Sequence, residues 1–400
     1  VLPVLWPAPA RISPGGRRWR GGAEAIEFLV VPNQRHVALL LPRRPRRAAA
    51  GALRNYRASA TGRSRWQLNA LALAARTGLT ELLPHRIRIE QHSPSSESDL
   101  TGYLRAVLGR DIVVSLYIGP LRANRKPVLQ ALAPTGEMIG FVKVGITPLT
   151  RDLVRDEAAT LASLGTAPLR LVQVPRLLCH GQWHGHEVLI QESMSGSGRD
   201  SGPPDLSGAM AELARVRGVT RLRVAESPYW RDLRQRLHAL GQSPPAGSLV
   251  QALDRVEPAA RVMTLAFGSW HGDWTPWNMT TARGRVLLWD WERFSTGVPL
   301  GYDAVHYRLQ SAIRDGATGE AAAEATLAEA AGLLEPLGVH RPSGWLVAIM
   351  YLVEIGARYL HDGQAEAGAR LGQLDTWLLP VLLRHTPGHA ASRGQDEAYL

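Results

Sequence analysis

A change of hydrophobic period near residue 147 constrains this chain more than any other feature. Before it, "DIVVSLYIGP" (111–120), "KPVLQALAP" (126–134) and "EMIGFVKVGI" (137–146) are short apolar runs separated by turns. They predict three strands in an antiparallel meander. After it, "TPLTRDLVRDEAATLASLG" (147–165) places Thr150, Leu153, Val154, Glu157, Leu161 and Leu164 on one helical stripe. Thr147 can cap that helix, Pro148 suits its first position and Gly165 stops it. "VPRLLCHGQWHGHEVLIQESMSG" (174–196) reads as a hairpin with an extended exit. From residue 197 onward, apart from 268–294, apolar residues recur at three- and four-residue spacing. The expected class is α+β: a small sheet-plus-helix unit, then a larger helical one.

The first 105 residues read as a mixed segment. "AIEFLVVP" and "HVALLLP" predict two strands, each stopped by proline. "SRWQLNALALAART" predicts a helix that ends at Gly78, and the Ser-rich "QHSPSSESD" (91–99) predicts a loop or linker. The net charge of +11 is concentrated here: residues 1–110 hold 18 arginines against 6 acids, whereas 111–400 hold 28 basic and 29 acidic residues. Such an excess suits an anionic partner, an acidic peptide among them, or an Arg-rich solvated surface. No nucleic-acid-binding motif accompanies it, which weighs against a nucleic-acid partner. No run of about 18 apolar residues is present, so no membrane helix is expected. Residues 1–20 make a poor signal peptide, and Cys179 is the single cysteine, so a cytoplasmic protein without an intrachain disulfide is expected. Cys179, His180, His184 and His186 crowd a hairpin turn without tetrahedral zinc spacing.

Two oddities point to chemistry. Of 46 basic residues only Lys126 and Lys143 are lysine, so a retained lysine is a candidate for a task that needs a compact ammonium. Glu157 puts a carboxylate on an otherwise apolar stripe, which is costly unless it is paired. The third signal is "HGDWTPWN" (271–278), followed by "LLWDWERF" (287–294). Gly272 and Pro276 keep His271, Asp273 and Asn278 on a loop. "RGRVLLWDWE" reads as a hairpin turn and a strand with Asp290 at its end. Hard oxygen ligands of this kind suit Mg²⁺ beside phosphates, and a separate aspartate can orient an attacking hydroxyl.

Taken in order, the strand meander, Lys143, the Glu157 helix, the hairpin, "HGDWTPWN" and "LLWDWE" resemble the aminoglycoside phosphotransferase and choline kinase family. The resemblance covers roughly residues 110–380. It implies a bilobal protein-kinase-like fold, with a small antiparallel-sheet N lobe (106–193), a larger mainly helical C lobe (194–400) and a basic N-terminal extension (1–105) outside the match. By that resemblance Asp273 is the catalytic aspartate. Asn278 and Asp290 are the Mg²⁺ ligands. Lys143 meets the ATP phosphates and Glu157 is its helix partner. The main chain at Glu192 and Met194 holds adenine. His271 organises the loop, Asp303 matches a structural aspartate of the family, and Glu292 supports the metal or caps the strand. The first hairpin turn, "GPLRANRKP", departs from a glycine-rich loop; Arg122, Arg125 and Lys126 either reach phosphates or form a solvated basic turn. Trp274 or Trp277 is expected either in the core or facing the acceptor. The implied activity is ATP- and Mg²⁺-dependent transfer of the γ-phosphoryl group to a hydroxyl of a small molecule: a sugar, an aminoglycoside or an amino alcohol. A peptide Ser/Thr kinase of a natural-product pathway and a non-catalytic nucleotide-binding regulator are the alternatives. Residues 197–400 carry 22 acids and 20 bases, a balance with no strong pull on a polycation.

Overall fold

A computed structural model describes residues 1–15, 25–32, 37–56, 62–90, 99–119, 121–194 and 205–387. The predicted linker at 91–99 lies almost wholly outside them. The chain divides into two compact units.

The first unit comprises 1–120, 125–165 and 175–196. Its frame is a nine-stranded antiparallel sheet in the order β1-β4-β2-β3-β5-β6-β7-β10-β9. The strands are β1 (Arg11–Pro14), β2 (Ala25–Pro32), β3 (Val37–Pro42), β4 (Arg86–Glu90), β5 (Val113–Tyr117), β6 (Val128–Leu132), β7 (Met138–Gly145), β9 (Leu177–Trp183) and β10 (His186–Gln191). The predicted meander is β5-β6-β7, and the predicted hairpin is β9-β10. The N-terminal stretch continues the same sheet: β3 pairs with β5 at Leu39↔Tyr117 and Leu40↔Leu116. The border expected between 105 and 106 falls inside α4 (Leu100–Leu108). One core holds Trp6, next to the short α1 (Leu2–Leu5), with Phe28, Leu100, Leu104, Val142 and Ile190. The second lies under α2 (Arg46–Tyr56) and α3 (Gly62–Thr77), with Leu29, Leu41, Leu53 and Ala75. Part of the arginine excess is structural. Arg43 is buried against Glu27 at 2.6 Å, and Arg86 is also buried.

Helix α5 (Pro148–Leu164) forms as its residues dictate. Thr147 accepts from the Thr150 amide, the Thr150 hydroxyl accepts from the Thr147 amide, and Pro148 opens the first turn. All six residues of the predicted stripe are buried, Glu157 among them.

The second unit comprises 121–124, 166–174 and 197–400. Its helices are α6 (Leu206–Arg215), α7 (Pro228–Ala239), α8 (Pro244–Val262), α9 (Tyr302–Arg314), α10 (Gly319–Leu334), α11 (Gly344–Asp362) and α12 (Leu378–His385). Two three-stranded sheets accompany them. One runs β11 (Thr220–Arg223), β12 (Thr264–Trp270), β15 (Ser295–Pro299); the other runs β13 (Met279–Ala282), β14 (Arg285–Leu288), β8 (Val172–Gln173). Helix α11 is buried almost all round from Leu346 to Ala357. An antiparallel-sheet unit and a mainly helical unit give the expected α+β class. No described helix is long and apolar enough to cross a membrane.

Candidate active site

In the first unit, Lys143 sits near the end of β7, opposite Leu189 of β10 and Val128 of β6. Its Nζ donates to both carboxylate oxygens of Glu157, at 2.6 and 2.7 Å. Lys143 is 5% exposed and Glu157 fully buried. The carboxylate on the apolar stripe of α5 therefore has an ammonium partner. Burial strengthens the attraction and makes loss of either member costly.

In the second unit, the catalytic-loop candidate begins where β12 ends. Gly272 has φ +83°, and a Cβ there would collide with the Arg293 carbonyl, so the motif needs glycine at this point. Two successive amides, of His271 and Gly272, donate to the Asp303 carboxylate at 2.8 and 3.2 Å. Asp303 lies in the first turn of α9, and burial pushes its carboxyl up to about 7. Arg358 of α11 donates to the Gly272 carbonyl at 2.6 Å and stacks over Trp270 at 4.8 Å. His271 accepts from the Asp273 amide at 3.1 Å and packs edge-on against Trp291. Burial lowers its pKa to about 4, so it is a neutral structural imidazole. Trp274 and Trp291 are fully buried and wall this loop; Trp277 is 37% exposed.

The open end of the β13-β14 hairpin carries two of the expected oxygen donors. Met279 pairs with Leu288, and the Trp289 amide donates to the Asn278 carbonyl at 3.0 Å. Asn278 thus stands opposite Trp289, with Asp290 next in the chain at φ +73°. The Asn278 amide nitrogen donates to the Asp273 carbonyl oxygen at 3.0 Å and to its carboxylate Oδ2 at 2.8 Å. That assignment leaves Asn278 Oδ1 as an acceptor. Asn278 Oδ1 and the Asp290 carboxylate are hard oxygen donors, a set that fits Mg²⁺ rather than zinc. Glu292 accepts from Asn124 at 3.2 Å.

The other expected residues lie in the first unit. Glu192 follows β10; its amide donates to the Arg176 carbonyl, its side chain pairs with Arg176 at 3.4 Å, and Met194 ends the described segment. His180 turns to Glu187 at 2.8 Å, and among the described residues the Cys179, His180, His184 and His186 group does not converge on a metal-sized space.

Two residues near Asp273 escaped sequence reasoning. His306 Nε2 lies 3.1 Å from Asp273 Oδ1, and His306 Nδ1 lies 2.7 Å from the Tyr351 hydroxyl. The available signal was the spacing in "LGYDAVHYRL": His306 stands one helical turn after Asp303 and shares its face.

No sequence-family profile matches the chain, and no curated protein does. Solved structures do. A thermostable mutant of aminoglycoside phosphotransferase APH(4)-Ia, in ternary complex with ADP and hygromycin B, is 15% identical, with 72% of this chain and 99% of that chain covered and a TM-score of 0.46. Choline kinase LicA from Streptococcus pneumoniae is 14% identical, with 71% and 96% covered and a TM-score of 0.44. APH(2″)-IIa in complex with gentamicin is 12% identical, with 70% and 94% covered and a TM-score of 0.43. At such identities the residue roles rest on the geometry of this chain alone.

Proposed function

We propose that this chain is a phosphotransferase that moves the γ-phosphoryl group of ATP to a hydroxyl of a small molecule. The observation that carries the reading is the arrangement at Asp273. Its carboxylate is held by Asn278, and the same hairpin end sets Asn278 beside Trp289 and Asp290. A base candidate is thus hydrogen-bonded to one hard oxygen donor, and a second follows at the open end of the same hairpin. Phosphoryl transfer asks little covalent work of a protein; it needs positioning and charge neutralisation.

Asp273 orients the acceptor hydroxyl and takes its proton as the new O–P bond forms and the bond from Pγ to the leaving ADP oxygen breaks. Asn278 and Asp290 would hold Mg²⁺, which when bound neutralises charge on the phosphate oxygens. Lys143, braced by Glu157, presents its ammonium to the phosphates. The main chain at Glu192 and Met194 receives adenine. The reading includes a cytoplasmic setting, supported by the single cysteine.

The test is a panel of sugars, aminoglycosides and amino alcohols incubated with ATP, with ADP and new phosphate esters followed together. Transfer should require Mg²⁺, and Asp290→Ala should abolish Mg²⁺-dependent nucleotide binding by calorimetry. Equal MgATP affinity in Asp290→Ala and wild type would overturn the metal assignment.

A further inference from the structure

We infer that His306 is a positioning residue for Asp273, a neutral imidazole protonated at Nε2 whose tautomer is set by Tyr351. The inference rests on the reading of Asp273 as the catalytic carboxylate. An ionised carboxylate can only accept, so the hydrogen in the 3.1 Å contact between His306 Nε2 and Asp273 Oδ1 belongs to the imidazole. The other ring nitrogen of a neutral imidazole is an acceptor. The Tyr351 hydroxyl lies 2.7 Å away, and in this tautomer it donates to that nitrogen. Burial drives the Tyr351 phenol well above its usual range, so it stays protonated as this role requires. Tyr351 also packs edge-on against His306, with ring centroids 5.9 Å apart.

The supporting side chains are buried and the supported one is partly exposed. The side chain of His306 is 3% exposed, against 33% for Asp273. Tyr351 is fully buried on α11, inside the helical core. Asp273 sits on a loop and would rotate about its χ angles without lateral restraint. Asn278 takes Oδ2 and His306 takes Oδ1, so the carboxylate is fixed from both sides. Each oxygen keeps a lone pair for the acceptor hydroxyl. A misplacement of about 1 Å at a reacting group can cost roughly a hundredfold in rate.

The experiment uses the whole chain with MgATP, water standing in for the acceptor hydroxyl, and follows ADP release. His306→Leu should lower kcat about a hundredfold, on the positioning argument above, with KM for ATP changed less than about twofold. His306→Gln, which restores an N–H donor, should recover most of that loss. Tyr351→Phe should fall between them. A purely structural role would give similar losses for Leu and Gln, tracking thermal stability. ¹⁵N NMR of histidine-labelled protein should show His306 as the Nε2–H tautomer in wild type, and that signal should change in Tyr351→Phe. This arm needs no activity and decides the matter if His306→Leu does not fold. An Nδ1–H tautomer, an imidazolium, or wild-type kcat in His306→Leu overturns the inference. Asp273→Asn in the same assay separates the two levels. If Asp273→Asn is fully active, the underlying reading fails. If it is inactive while His306→Leu is not, only the role of His306 fails.

Discussion

The ion pair of the first unit and the loop anchors of the second are both buried polar arrangements, yet the chain builds them at different ranges. Lys143 and Glu157 stand 14 residues apart, on a strand and the helix that follows it. Asp273 reaches His306 across 33 residues, and His306 reaches Tyr351 across another 45. The pair joins adjacent elements and places one compact charge against one carboxylate. The loop borrows donors and acceptors from α9 and α11, whose positions depend on the packing of the whole helical unit. Losing a short-range device costs stability but should displace little beyond its own strand and helix. A long-range one should couple the loop to the helical core.

Lys143→Ala should have the largest effect on stability. It leaves the Glu157 carboxylate buried without its ammonium, at a cost of about 3–5 kcal/mol. Denaturant titration measures this, and a change under about 1 kcal/mol would mean that water or another cation replaces Lys143. Glu157→Gln should cost less, because the amide oxygen can still accept from Nζ.

Acidification should strike the second unit through His271. Its folded pKa, about 4, lies below the ordinary histidine value of 6.5. A depressed pKa gives stability that is present above about 6.5 and is lost as pH falls through the window down to about 4, on the order of 3 kcal/mol in all. The stability of His271→Gln should fall less than that of wild type between pH 6.5 and 4. Parallel curves would mean that His271 is not the titrating group.

Gly272→Ala should cost about 2 kcal/mol from the left-handed backbone alone, with more from the clash at Arg293. Because the loop is tied to Asp303 and Arg358, this change should also lower kcat. Stability lost without kcat lost would show the loop tolerates displacement, contrary to the coupling argued above. Thr147→Ala should be smallest, about 1 kcal/mol from the lost cap, since it acts only on the first turn of α5.

The same difference in range decides what sequence could reveal. Helix α5 was legible down to its capping residue, because period, cap and stop all lie within 19 consecutive residues, 147–165. Lys143 and Glu157 stood out because each broke a local pattern: a lysine among arginines, a carboxylate on an apolar stripe. Asp273, Asn278 and Asp290 were visible from spacing and from glycine and proline positions that exclude a helix. His306 was not, since a single histidine on an amphipathic helix looks the same in solvent, in the core or beside a carboxylate. The placement of residues 1–105 was also hidden. Their strands were readable one by one, but strand neighbours in a sheet are set by long-range pairing that no local period encodes. The β3–β5 junction, reinforced by the 2.9 Å hydrogen bond from Ser115 Oγ to the Leu40 carbonyl, became visible only in the fold.

The central claim is that Asp273 is the group on which phosphoryl transfer turns. Its most direct test is a paired measurement on Asp273→Asn: nucleotide affinity by calorimetry and single-turnover conversion of bound ATP to ADP. The account predicts MgATP affinity close to wild type, unchanged thermal stability and a rate lower by about 10² to 10⁴, the range expected for loss of a positioned acid–base group. Conversion at the wild-type rate, with ATP bound equally well, would contradict it.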